Sequence, residues 1–188
     1  QDEETGLYFE LLEKSVHQLK STLDEQVDQI KDTLSLKTNL EPINLNEVFH
    51  SITDSIRSLI EDSKAVFRVN FSEAGQLLAN NFSLQSIFLN LISNSIKYAR
   101  PGIPPEITIV SKKTAEGIQI RFTDNGIGFD MDKNKNKLFG LNQVFSQHSD
   151  SKGIGLYLVK NYMNNLGGNI EVTSQINAGS SFTLTFKN

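Results

Sequence analysis

Cysteine is absent from the 188 residues, which excludes a disulfide framework and any thiolate-ligated zinc site. This is compatible with a reducing compartment and does not demand one. The chain also lacks an apolar run long enough to span a membrane, and it has no signal-peptide pattern. Basic residues number 18 against 22 acidic ones, and the resulting net charge of −4 disfavours a nucleic-acid-binding surface. Proline is scarce, and none of the four falls before Pro42. What remains suits one globular domain with an appendage, long enough to bury a real core. The charged helical pattern begins at the first residues, as expected of a piece of a longer protein.

Residues 5–38 contain no proline, and their one glycine is Gly6. Leu12, Val16, Leu19, Leu23, Val27, Ile30 and Leu34 recur every three or four positions, a seam close to a heptad repeat. Polar residues fill most other positions. A helix of about 50 Å with one narrow apolar stripe calls for a partner helix, with packing on its own domain as the alternative.

Glu41-Pro42 breaks this pattern. Asn46 reads as a helix cap, followed by Val48, Phe49, Ile52, Ile56, Leu59 and Ile60 at helical spacing. Residues 66–71 read as a strand and 77–79 as a short second one. Residues 83–99 read as a helix that buries Leu84, Ile87, Phe88, Leu91, Ile92 and Ile96. Asn90, Asn94 and Lys97 fall on one stripe away from that face. They read either as a solvated face or as a row for a metal and a phosphate. Asparagine is a poor helix former, its amide carbonyl is a hard oxygen ligand suited to Mg²⁺, and lysine offers phosphate a point charge.

Residues 106–112 and 117–124 read as a β-hairpin. The second strand alternates apolar and polar residues and ends in Asp124-Asn125-Gly126-Ile127-Gly128. A carboxylate followed by two glycines suits close approach of main-chain N–H groups to a ligand, and it is also common turn chemistry. Residues 129–152 show little pattern and read as a lid or a disordered segment. Gly153-Ile154-Gly155 opens a helix whose N-terminus would suit phosphate. Gly167-Gly168 stops that helix, and residues 169–174 and 181–187 read as two further strands, joined at Asn177-Ala178-Gly179.

Together these stretches resemble the nucleotide-binding domain of sensor histidine kinases, in the GHKL superfamily that includes gyrase-type ATPases. The resemblance runs from about residue 44 to the end. Asn90-Leu91-Ile92-Ser93-Asn94-Ser95-Ile96-Lys97-Tyr98 is similar to the asparagine box, and Asp124 to Gly128 to the first glycine box. Residues 138–145 sit where the phenylalanine box belongs. Ser151-Lys152-Gly153-Ile154-Gly155-Leu156 is similar to the second glycine box, and Gly179-Ser180-Ser181-Phe182 to the closing signature. Ser151 stands where that family has glycine, and Ser181 where it has threonine.

The resemblance implies an α+β fold, a two-layer α/β sandwich with a mixed sheet packed on helices, preceded by a long coiled-coil-like helix. It divides the chain into a partial dimerisation helix at 1–41, the second of a hairpin, and an ATP-binding catalytic domain at 42–188 with a lid at about 129–152. It implies ATP and Mg²⁺ as ligands. Asn94 would hold the metal with Asn90 beside it, Lys97 would touch phosphate and Tyr98 would line the nucleotide pocket. Asp124 would accept from the adenine amine, with Gly126 and Gly128 allowing close approach. Lys152, Gly153, Gly155, Leu156 and Ser181 would serve the nucleotide, and among Lys137, His148 and Lys152 the sequence does not choose the phosphate contact. Relatives that hydrolyse ATP carry glutamate at the position of Asn90, and an amide is no general base, which fits holding ATP for transfer.

The implied activity is phosphoryl transfer from ATP to a protein histidine on a first helix outside this sequence. The implied partners are a response-regulator receiver domain and a second copy through the N-terminal helix. Localisation would be cytoplasmic, with any membrane anchor in other parts of the protein. His17 is followed by Gln18 where the family's acceptor histidine has an acid, so it is expected to be an ordinary helix-surface residue. Readings from other classes are a non-catalytic scaffold that has kept the fold, and a GHKL-type ATPase.

Overall fold

The computed structural model describes residues 39–134, 138–140 and 154–187. The seam at residues 5–38 and His17 lie outside the described residues. Strand β1 (Glu41–Asn44) is followed by helices α1 (Leu45–Ser55) and α2 (Arg57–Ser63), then strands β2 (Val66–Asn70) and β3 (Gln76–Ala79). Helix α3 (Asn81–Lys97) leads into the hairpin β4 (Glu106–Thr114) and β5 (Gly117–Asp124). A single turn, α4 (Met131–Asn134), precedes α5 (Gly155–Asn165), and strands β6 (Asn169–Gln175) and β7 (Gly179–Lys187) close the chain.

Five strands form one mixed sheet in the order β2-β4-β5-β7-β6, with β2 parallel to β4 and the other pairs antiparallel. Helices pack on it, giving the α+β two-layer architecture expected from the resemblance. Strand pairing lines up the apolar positions row by row: Ile109 opposite Phe122, Phe122 opposite Phe182, and Ile120 opposite Leu184. All of these are buried, and the Phe122 ring meets Phe88 of α3 edge to face at 4.9 Å between centroids. Every apolar residue assigned to the inner face of α3 is buried. The opposite sheet face carries Thr108, Lys112, Gln119, Arg121 and Thr123 along a polar groove.

Three local readings change. Asn44, not Asn46, caps α1, its side chain accepting from the Asn46 N–H at 2.9 Å. Leu45, the first helical residue, is fully buried, so the helix begins earlier than the polar pattern suggests. The stretch around Pro42 is a strand, paired antiparallel with β3, and Pro42 stands opposite Leu78. Proline is tolerated there because a two-stranded sheet leaves every strand one open edge. The run from Val48 to Ile60 breaks into two helices at Ile56, whose φ of −114° is not helical.

Candidate functional site

The period of a strand positions the central carboxylate. Ile120 and Phe122 point to the helix side of β5, and Asp124, two residues on, continues that row opposite Ile107. A charged residue thus occupies a core-facing position at the end of a strand, beneath the C-terminus of α3. Its Oδ1 accepts from the Gly126 N–H at 2.8 Å and from the Ser180 N–H at 3.1 Å. Its Oδ2 lies 3.5 Å from the Ser95 hydroxyl. Burial pushes the carboxyl above its ordinary range, and these three hydrogen bonds oppose the shift.

The turn after Asp124 is fixed by its neighbours. The Ile127 N–H donates to the Tyr98 carbonyl at 2.9 Å, and the Ile127 carbonyl accepts from the Asn177 N–H at 2.7 Å. The Arg100 guanidinium reaches the carbonyls of Asn125 at 2.7 Å and Asn177 at 3.2 Å. Gly128 has φ +58°, and a Cβ there would stand 2.0 Å from the Gln175 carbonyl oxygen. A Cβ on Gly126 would stand 2.5 Å from the Tyr98 carbonyl. At both positions the demand for glycine arises from packing of the protein's own main chain.

Above this turn opens a cleft with about 520 Å³ of atom-free space, part of it open to solvent. It brings together Asn94, Tyr98, Asp124, Gly128 and Leu156 from the positions expected to serve a nucleotide. Asn90 lies one helical turn before Asn94. Its amide nitrogen donates to the Ser86 carbonyl at 2.8 Å, and its oxygen faces the first turn of α5 beside Gly155. Lys97, in the last turn of α3, is exposed and is not among the cleft-lining residues. Lys152 and Gly153, with Lys137 and His148, lie outside the described residues.

Ser181 is not part of the cleft lining, and its hydroxyl pairs with that of Thr123 at 3.0 Å. Ser180 faces the cleft instead. Phe182, Leu184 and Phe186 point inward, so period-two alternation turns Ser180 toward the helices and Ser181 away. Sequence reasoning also missed Ser95, Ile127, Phe129 and Phe182 in the cleft wall. Ser95 carried a signal, being the one polar residue between Leu91 and Ile96 in phase with the buried face of α3.

The segment after Gly128 is anchored at its root and at one apolar point. The Phe129 N–H donates to Ser174 Oγ at 2.9 Å, and Leu138 is 1% exposed. Phe139 lies under the Lys160 ammonium, 5.9 Å from nitrogen to ring centroid.

Chemically, the cleft pairs an acceptor-only carboxylate with aromatic and aliphatic walls. That suits a flat heterocycle presenting an amino group. Among the described residues, no three His, Cys, Asp or Glu side chains gather as a metal-binding group. The amide oxygens of Asn90 and Asn94 are hard neutral ligands, fitting a Mg²⁺ whose other ligands are phosphate oxygens and water. No helix among the described residues is long and apolar enough to cross a membrane.

Residues 79–188 match the family described as histidine kinase-, DNA gyrase B-, and HSP90-like ATPase. The histidine protein kinase SaeS of Staphylococcus aureus is 24% identical over 188 residues, covering 98% of this chain and 54% of SaeS. The heme sensor protein HssS of Staphylococcus saprophyticus is 30% identical over 147 residues, covering 78% of this chain and 31% of HssS. Among solved structures, the Acinetobacter baumannii histidine kinase AdeS is similar with a TM-score of 0.68 at 19% identity, covering 94% of this chain and 84% of that one. The chain thus spans about half, or less, of the length of these curated relatives.

Proposed function

The chain belongs to the histidine kinase-, DNA gyrase B-, and HSP90-like ATPase family, and from that premise we propose that residues 42–188 bind ATP with Mg²⁺ as the kinase domain of a two-component sensor histidine kinase. The observation that carries this reading is the state of Asp124. Main-chain donors occupy one carboxylate oxygen, and the other borders a cleft walled by Tyr98, Leu156 and Phe182. Oδ2 has only the long contact from the Ser95 hydroxyl, so it keeps room to accept from an adenine amine.

In this reading Asn94 and Asn90 hold the metal, and Lys97 swings from its exposed position toward the phosphates. Lys152, Gly153 and Gly155, the first residue of α5, serve the phosphates. Mg²⁺, when bound, neutralises charge on the phosphate oxygens. The chain's own contribution is to orient the nucleotide and exclude water, because phosphoryl transfer relies on positioning and charge stabilisation. Asn90, an amide where hydrolysing relatives have glutamate, leaves bound ATP without a base to activate water. The γ-phosphoryl group then passes to a protein histidine and onward to an aspartate of a receiver domain. We assign a dimerisation helix to the stretch that precedes β1, the lid to residues 129–152, and the whole to the cytoplasmic portion of a sensor.

The test is thermal unfolding with Mg²⁺–ATP, Mg²⁺–GTP and neither, followed by incubation of the chain with ATP and a histidine-bearing acceptor helix hairpin. ATP at about 100 times its Kd is expected to stabilise by about 2.7 kcal/mol, with GTP far less effective. Acid-labile phosphate on the acceptor completes the case. Equal stabilisation by ATP and GTP would remove the adenine reading, and steady hydrolysis without transfer would favour an ATPase.

A further inference from the structure

Ser95 lies on the buried face of α3, 6% exposed, and also lines the cleft beside Asp124. Its hydroxyl has one proton and two acceptors, the Leu91 carbonyl at 3.0 Å and Asp124 Oδ2 at 3.5 Å. The two oxygens of Asp124 differ in their partners. Main-chain N–H groups of Gly126 and Ser180 hold Oδ1, while the Ser95 side chain faces Oδ2, the oxygen left for a ligand.

We propose that Ser95 is a positioning residue for Asp124, its hydroxyl turning between the Leu91 carbonyl and Oδ2 so that the carboxylate stays charged and acceptor-only, which lets the cleft take an amino-bearing purine and refuse a carbonyl-bearing one. This rests on the adenine-nucleotide reading above.

The chemistry runs through a single proton. When Asp124 is charged, its bond from Ser95 is charge-assisted, about twice as strong as a neutral one. When Asp124 is neutral, Ser95 keeps its bond to Leu91, and the carboxyl proton becomes available to a ligand carbonyl. The hydroxyl therefore favours the charged form. That matters here because burial drives the carboxyl the other way. Titratable and charged groups on the surrounding elements are Lys97, Tyr98 and Arg100 at the end of α3, Glu106 on β4 and Asp130 beyond Gly128. The causes of the Asp124 shift are burial, which raises it, and the three hydrogen bonds, which lower it. Arg100 is engaged by two main-chain carbonyls. Among the described residues no cation is a cause of the shift, so one hydroxyl has leverage.

The experiment uses the whole chain. The carboxyl carbon of Asp124 is titrated by ¹³C NMR without nucleotide in wild type, Ser95→Ala and Ser95→Thr, with Asp124→Asn assigning the signal. Ser95→Cys, nearly the same size with a weak S–H donor, covers a failure of the alanine variant to fold. Affinities for ATP and GTP are then measured by calorimetry across the same pH range. Ser95→Ala should move the titration midpoint upward by roughly half to one pH unit, with Thr holding the wild-type value. The acid limb of ATP affinity should move with it, and the ATP-over-GTP preference should shrink several-fold on the acid side. An unchanged midpoint in the Ala and Cys variants overturns the proposal whether or not nucleotide binds. A shifted midpoint with an unshifted ATP limb overturns the discriminating role. A wild-type chain that binds no adenine nucleotide at any pH overturns the nucleotide reading and the discrimination built on it, while a shifted midpoint would still establish the Ser95–Asp124 link.

Discussion

A Cβ on Gly155 would stand 2.7 Å from the side-chain oxygen of Asn90. The first turn of α5 is therefore pressed against the row of α3 assigned to the metal. The other end of that amide is tied to the Ser86 carbonyl. Gly155→Ala meets the tip of a side chain rather than main chain, so the amide can turn aside and the fold should survive. We expect a melting temperature within a few degrees of wild type and roughly tenfold weaker Mg²⁺–ATP binding, a loss of about 1.4 kcal/mol. Calorimetry with and without Mg²⁺ checks this. Unchanged Mg²⁺-dependent affinity would detach Asn90 and Gly155 from the ligand.

Gly128→Ala should behave in the opposite way. Its φ is +58°, and the added carbon would stand 2.0 Å from a main-chain oxygen of Gln175. Main chain cannot turn aside as a side chain can. Strain and clash together should cost on the order of 3 kcal/mol or more. Urea denaturation is the measure, and a variant of wild-type stability would mean that the turn at Gly128 is freely adjustable.

The contrast between these glycines shows where sequence reading ends. Glycine boxes were legible as a motif, but the reason for each glycine was not, because the atoms they avoid belong to elements distant in sequence. Gln175 and Tyr98 reach Gly128 and Gly126 only after the sheet has formed. Patterns within one element read well. The inner face of α3 and the hairpin of β4 and β5 follow from apolar spacing. The phase of β7 would have chosen Ser180 over Ser181 had the strand been started at Gly179. Ser95 was harder to see, since a polar residue on a buried helix face shows its purpose only once Asp124 arrives from β5.

Asp124→Asn should raise stability at neutral pH while removing nucleotide selectivity. Burial raises the folded carboxyl above its unfolded value. Between those two values the folded state holds more protons than the unfolded state, so stability falls as pH rises through the window. Above the window the full destabilisation persists. An amide removes it and leaves the two main-chain N–H groups an oxygen to donate to. Its NH₂ then opposes the adenine amine, donor against donor, and ATP affinity should fall tenfold or more. Thermal unfolding from about pH 4 to 8 should show wild type losing stability toward neutral pH relative to the variant. Parallel curves would mean that Asp124 carries no such charge penalty.

Arg100 should prove to be the clamp that sets the height of Asp124 in the cleft. Its Nε and Nη1 hold the carbonyls of Asn125 and Asn177, one in each turn flanking the carboxylate. The Asn125 side chain extends the frame, donating to the Pro104 carbonyl at 3.1 Å and accepting from the Glu106 N–H at 2.9 Å. A guanidinium spans two carbonyls with a rigid fork, whereas an ammonium is a point charge that satisfies one at a time. Arg100→Met keeps much of the stem and loses both bonds. Arg100→Lys should keep one. Hydrogen bonds from a charged donor contribute about 1.5–3 kcal/mol when shielded, and this side chain is half exposed, so the Met variant should lose roughly 1–2 kcal/mol in all. Ser180 rides on the second turn and donates to Asp124, so loosening either turn moves the acceptor seen by the base. ATP affinity should therefore fall in the order Arg, Lys, Met, by several-fold at the end of the series. The melting temperature should follow the same order. A Met variant that melts earlier yet binds ATP as tightly as wild type would show that the turns hold Asp124 in place without the clamp.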